Sequence, residues 1–245
     1  MAPRWIENAG RFYRFSRSWS PYARTYFSQE GEDILLSRLF SGQRKGFYVD
    51  VGAHHPERFS NTLWAYRRGW SGINIDASTT AVQALKKHRP RDVNLQLAVS
   101  DQTGSMELFE FQEPALNTVQ SKRRDFIEEF TEFSATSTIV KTATLAQILE
   151  QHLHPANTTI DFMSIDVEGN EAAVLASNDW GRFHPRVVVL EVLGRTLSEL
   201  GGSDEVAFLS QRGYTPVAML YHSVLFVSDD QLTAAHWGAD HRGGS

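Results

Sequence analysis

Four apolar runs in this chain end at or beside a carboxylate: Phe47-Tyr48-Val49-Asp50-Val51, Gly72-Ile73-Asn74-Ile75-Asp76, Ser164-Ile165-Asp166 and Val188-Val189-Leu190-Glu191. Ligands of an open α/β sheet sit beyond the carboxyl ends of its strands, so acids there can hold cationic or polyhydroxyl groups. Asp50 is placed to accept a hydrogen bond from a cationic ligand, such as the amino group of a methionine moiety. Gly52 lets a ligand approach the backbone closely. Asp76 stands where a carboxylate takes both hydroxyls of a ribose. Ala98 and Val99 lead into the polar turn Ser100-Asp101, which overlies the adenine position in this topology. After Gly52 come Ala53, His54 and His55, so the G-x-G-x-x-G that seats a pyrophosphate is absent. The pattern therefore points to a nucleoside ligand without a pyrophosphate. Blander readings stand beside it. The first run is also an ordinary strand-turn, and Asp76 also suits the N-cap of the next helix.

Asp166, Glu168 and Glu171 fall within six residues of one another, with Gly169 opening a helix. A helix N-terminus explains Glu171. It explains Asp166 poorly, because neighbouring buried carboxylates need a cation, a metal or a shared proton.

These residues must be carried by strands and helices. Apolar runs read as strands at Phe47–Val51, Gly72–Ile75, Val93–Ala98, Ile160–Ile165 and Val187–Glu191. Helical patterns fall at Glu32–Phe40, Asn61–Arg68, Thr80–His88, Leu145–Gln151, Glu171–Ala176 and Asp204–Gln211. Ser105–Phe111 and Ser137–Thr142 alternate like strands around a charged helix near Lys122–Phe130, an insertion expected on the sheet's rim (about 105–142). Thr215–Tyr221 and Val224–Val227 are too close in sequence for a parallel crossover and form an antiparallel hairpin. The expected fold is a Rossmann-like, class I methyltransferase α/β fold: seven strands, mostly parallel, closed by a C-terminal antiparallel hairpin. The expected layout is an aromatic and basic arm over 1–27, a catalytic domain over 28–236 and a tail over 237–245.

The assembled motifs resemble the FkbM-type methyltransferases. The similar segments are SQEGED (28–33), FYVDVGAHHPERFSNT (47–62), GINIDAS (72–78), LAVSDQTGSMELFEF (97–111), SIDVEGNEAAVL (164–175) and VVVLEV (187–192). The resemblance implies S-adenosylmethionine as cofactor and a sugar or natural-product hydroxyl as acceptor. It puts Asp50, Gly52 and Ala53 on the methionine portion, Asp76 and Ala77 on the ribose, and Ala98 and Val99 on the adenine rim. Asp166 falls beside the cofactor, with Gln29, Glu30 and Asn61 flanking the cofactor or the substrate mouth. Two positions depart from the family pattern. Ser164 stands where Lys is common and Ala77 where Pro is frequent, and the first leaves the acceptor open.

A sugar hydroxyl attacks only once its proton is taken, which needs a general base or a metal. The candidates are His55, then His54, with His222 in the final turn and Glu168 in the acid cluster. Asp166 and Glu191 offer hard oxygen ligands for Mg²⁺, a vicinal diol completing the shell. Trp5, Phe12, Tyr13, Trp19 and Tyr22 of the arm could stack on a sugar or simply pack on the domain.

Composition narrows the alternatives. A net charge of -5 provides no field for a nucleic-acid backbone, and no N-P-P-Y-like motif is present. No run reaches a membrane span, the N-terminus lacks a signal-peptide pattern, and there are no cysteines. The expectation is a cytoplasmic enzyme with a small-molecule or glycan acceptor and room for a homo-oligomer. Two other readings remain at this stage, a nicotinamide oxidoreductase and a non-catalytic nucleotide-binding module.

Overall fold

The computed structural model describes residues 25–153 and 159–234. The arm aromatics and the tail lie outside them. Seven strands form one sheet, in the spatial order Val93–Gln96, Ser71–Asp76, Phe47–Val51, Phe162–Ile165, Val187–Glu191, Ser223–Ser228 and Tyr214–Met219. In chain order these are β1 (Phe47–Val51), β2 (Ser71–Asp76), β3 (Val93–Gln96), β7 (Phe162–Ile165), β8 (Val187–Glu191), β9 (Tyr214–Met219) and β10 (Ser223–Ser228). The first five pair in parallel, while β10 runs antiparallel between β8 and β9. The hairpin link is Leu220–His222, one residue longer than the sequence pattern implies.

Side chains alternate across each strand, so one sequence supplies two cores. On one face Val49, Val51, Ile73 and Ile75 pack against Leu145, Ile148 and Leu149 of a helix at Leu145–His152 and Val174 and Leu175 of another at Glu171–Ala176. On the other face, Tyr48 and Phe162 meet Leu36 and Phe40 beside the helix Glu32–Leu39 and Trp64 beside Trp70. Those aromatic rings lie with centroids 5.4–6.1 Å apart.

One expectation needs correction. The run Val93–Ala98 is not a single strand. It breaks at Leu97, and β4 (Ala98–Val99) crosses into a second, three-stranded sheet with β5 (Gly104–Glu110) and β6 (Thr136–Ala143). The amide of Leu97 donates to the Asp76 carbonyl (3.0 Å), which turns the chain at that point. Short apolar runs cannot announce such a change of sheet, because periodicity is blind to the partner strand.

Candidate active site

Strand order gathers the acids. β1, β2, β7 and β8 are neighbours in the sheet, so Asp50, Asp76, Asp166 and Glu191 come to its carboxyl edge. Beyond that edge lies a cavity of about 450 Å³. Its walls include Asp50, Gly52, Ala53, Asp76, Ala77, Ala98, Val99 and Asp166, with Gln29, Asn61, His54, His55 and Glu168 around them. Glu191 and His222 are not in that wall. The small sheet and its following turn supply the far side through Leu108, Glu110, Phe111 and Thr118. The insertion is thus a wall of the cavity and not merely rim.

Gly52 is required for a reason the sequence does not reveal. Its φ is +82°, and a Cβ there would fall 1.6 Å from the Asp166 carbonyl oxygen. The close approach is made by the neighbouring strand's exit.

Asp76 accepts the His54 amide on Oδ2 and the Ser78 amide on Oδ1, both at 2.8 Å. It therefore braces the Gly52 turn and the start of the helix Thr79–His88 together, while the N-cap position itself belongs to Ser78. Burial pushes its carboxyl up to about 6 despite these bonds. Asp50 is likewise raised to about 6 by burial, opposed by the Thr62 hydroxyl, which donates to Oδ2 at 2.7 Å.

Behind Asp50 stands a residue that sequence reading missed. Arg89 is 1% exposed. It donates to the Thr62 hydroxyl (2.6 Å), the Ser60 hydroxyl (2.7 Å) and the Pro56 carbonyl, pinning the loop 56–62 over the strand. Its only sequence signal is one more basic residue after Lys86-Lys87-His88, which reads as a solvated helix end.

The acid cluster is tighter than spacing alone implies. One carboxylate oxygen from each of Asp166, Glu168 and Glu191 lies within 4.8 Å of the others. Burial and mutual repulsion push all three carboxyls up, Glu191 to about 11. Arg123 relieves only Glu168, at 2.9 Å. Glu191 Oε2 is buried without a hydrogen-bond partner.

The histidines differ sharply. His55 Nδ1 accepts the amides of Glu57 and Arg58 (3.0 and 2.9 Å), so in the neutral ring the proton sits on Nε2 and no lone pair remains free. His54 is driven down to about 4 by burial, and its Nε2 is sealed in the wall with no partner. His222 Nδ1 lies 2.7 Å from Glu30 Oε1, and its amide donates to Glu30 Oε2 at 2.8 Å. A carboxylate only accepts, so Nδ1 carries a proton, and in the neutral ring Nε2 keeps its lone pair. Backbone strain marks the same region. The three non-glycine residues with positive φ among the described residues are His54, Phe59 and Glu168, and all three line the cavity.

The residues fit a sulfonium nucleoside. Asn61 Oδ1 and His54 Nε2 are buried polar atoms without partners in the cavity wall, and the acid edge suits a cation. A family comparison agrees. The profile of the methyltransferase FkbM domain matches residues 50–216. Among solved structures, precorrin-6y C5,15-methyltransferase from Geobacter metallireducens is 16% identical, with 86% of this chain and 91% of that chain covered and a TM-score of 0.43. A TehB-like methyltransferase from Corynebacterium glutamicum is 10% identical over 91% and 97%, TM-score 0.41. An O-methyltransferase from Bacillus cereus in complex with S-adenosylhomocysteine is 11% identical over 91% and 87%, TM-score 0.41. No curated protein sequence matches. The family match spans more than half of the chain and displaces the nicotinamide and non-catalytic readings: the chain belongs to the FkbM methyltransferases and is an S-adenosylmethionine-dependent enzyme.

Proposed function

We propose that the enzyme methylates a hydroxyl of a sugar or glycosylated acceptor, with His222 as the general base. The observation that carries this reading is the Glu30–His222 pair, which orients an imidazole next to Ser223, the residue opposite Glu191 of the acid cluster. Oxygen acceptors need such a base, because an alcohol is a poor nucleophile until its proton leaves. His55 Nδ1 is already occupied by two backbone amides, and burial holds His54 far below the usual histidine range, which makes it a weak base.

A bound S-adenosylmethionine would supply an electrophilic methyl group on a cationic sulfur, a leaving group able to depart with the carbon–sulfur electron pair. Asp76 is read as the ribose ligand, its two oxygens held by backbone amides so that their remaining lone pairs face the cavity. Asp50 and Asn61 Oδ1 are read as acceptors for the methionine ammonium, with Gln29, Ala53 and Asp166 closing that end. Ala77 is read beside the ribose, and Ala98 and Val99 as the apolar flank of the adenine. Catalysis then rests on alignment of donor and acceptor and on His222 Nε2 receiving the hydroxyl proton, while Glu30 stabilises the resulting imidazolium.

Asp166 and Glu191, with Glu168 beside them, would hold a divalent cation such as Mg²⁺. It would lower the pKa of an acceptor hydroxyl and neutralise the cluster. Support comes from the oxygen separation and from the partnerless Glu191 Oε2. Turnover abolished by EDTA and restored by Mg²⁺ is the expected result, and full turnover in chelator would leave the three acids as positioning groups.

The function is tested by transfer of radiolabelled methyl to a panel of glycosides, phenols and amines. Label on a sugar oxygen is expected. Label confined to nitrogen or phenolic oxygen would end the sugar reading. Asp76→Ala should weaken S-adenosylmethionine binding by roughly 2–4 kcal/mol in calorimetry, the loss of a charge-assisted pair of hydrogen bonds.

A further inference from the structure

A second cavity of about 860 Å³ lies between the segment 194–200 and residues 216–222. Leu197, Met219, Leu220 and Tyr221 line it, together with His222. Leu197 and Tyr221 are 73% and 79% exposed, and leaving such side chains in water forgoes their burial energy.

This cavity neighbours the first through the proposed base. His222 lines the second cavity and not the first. Gln29, in the first wall, precedes Glu30, which grips His222. Ser223, next to His222, pairs with Glu191 across the sheet and donates to Glu32.

Charge decides what kind of molecule fits. Glu30 holds His222, and Glu32 and Glu191 meet the next residue, Ser223, with Asp166 and Glu168 clustered on Glu191. The cation in the second cavity's wall, Arg195, lies 3.8 Å from Glu205, and Arg123 is paired with Glu168. A phosphate or diphosphate would meet carboxylates there without an unpaired cation among these residues. The apolar wall in turn suits a hydrocarbon or aryl group.

We infer that the second cavity is the acceptor site, and that it takes an uncharged glycoside whose sugar reaches His222 while an apolar aglycone lies along Leu197, Leu220 and Tyr221. This inference rests on the sugar O-methyltransferase reading and narrows it.

The test compares labelled-methyl transfer by the full chain to octyl glycosides, the matching methyl glycosides and a nucleotide diphosphate sugar. Octyl glycosides should show a KM about tenfold or more below the methyl glycosides, because several methylenes leave water. Leu197→Ser and Tyr221→Ala should raise the octyl KM towards the methyl value. Both side chains are largely exposed, and calorimetric cofactor binding checks that the variants are folded. Equal KM values for the two glycoside series, a nucleotide sugar as preferred acceptor, or an octyl KM unmoved by either substitution would overturn the inference while the sugar O-methyltransferase reading stands. Cofactor binding without label on any glycoside would end the sugar reading and this inference with it.

Discussion

Burial holds Asp50 and Asp76 at about 6, above the ordinary carboxylate value of 3.8, and this dictates how the first cavity answers pH. A folded-state pKa raised in this way contributes stability that is fully present below the unfolded value and is lost as pH rises through the folded one. The ligand-free protein should therefore lose stability from these two groups between about pH 4 and 7. Cofactor binding runs the opposite way, because ammonium and ribose hydroxyls want ionised acceptors. Affinity for S-adenosylhomocysteine should rise over the same interval and level off above it, and Asp76→Asn should weaken it and flatten part of the dependence. Calorimetry across pH reads both, and a flat wild-type profile would contradict the assignment. Arg89 acts on the same carboxyl, since its charge lowers the Asp50 pKa. Arg89→Met should cost about 3 kcal/mol or more in urea unfolding, because buried acceptors lose their donor. The variant should also move the pH midpoint of cofactor binding upwards.

Two contacts between elements set the shape of the cavity. The first is the packing of the β1 exit on the β7 exit at Gly52. Gly52→Ala places a Cβ against the Asp166 carbonyl at a φ that L-residues avoid, so a loss of about 2–4 kcal/mol in urea unfolding is expected. Its cofactor binding should fall with it. The second is the bidentate Arg58–Glu113 pair, at 2.8 and 3.0 Å, which ties the loop after the turn to the segment between β5 and β6. Both side chains are partly exposed, so the pair is worth less than about 1 kcal/mol to folding. Glu113→Gln should leave the urea midpoint nearly unchanged and speed cofactor release in stopped-flow measurements. The loop it restrains carries Phe59, one of the strained residues of the wall.

At the scale of the molecule, strain and crowded carboxylates sit together at the sheet's carboxyl edge, while two apolar cores fill the layers on either side. A ligand that matches this edge stabilises the whole fold by mass action. S-adenosylhomocysteine at a hundredfold its Kd should raise unfolding free energy by about 2.7 kcal/mol, which a thermal shift reports. No helix among the described residues is long and apolar enough to cross a membrane.

The sequence by itself determined the sheet's parallel core and its closing hairpin. Apolar runs such as Phe47–Val51 and Val187–Glu191 match the strands residue for residue, because burial on both faces writes a continuous signal. It also placed acids at strand ends, since a carboxylate interrupting an apolar run is conspicuous. Spacing also grouped Asp166 with Glu168 and offered Asp166 and Glu191 as joint ligands, while the tertiary structure decided how closely the three approach. The tertiary structure alone sent Ala98–Val99 into a second sheet, buried Arg89 behind Asp50, and turned His222 towards Glu30, 192 residues away. Such pairings depend on where the chain returns in space. Local periodicity reports only which face of an element avoids water.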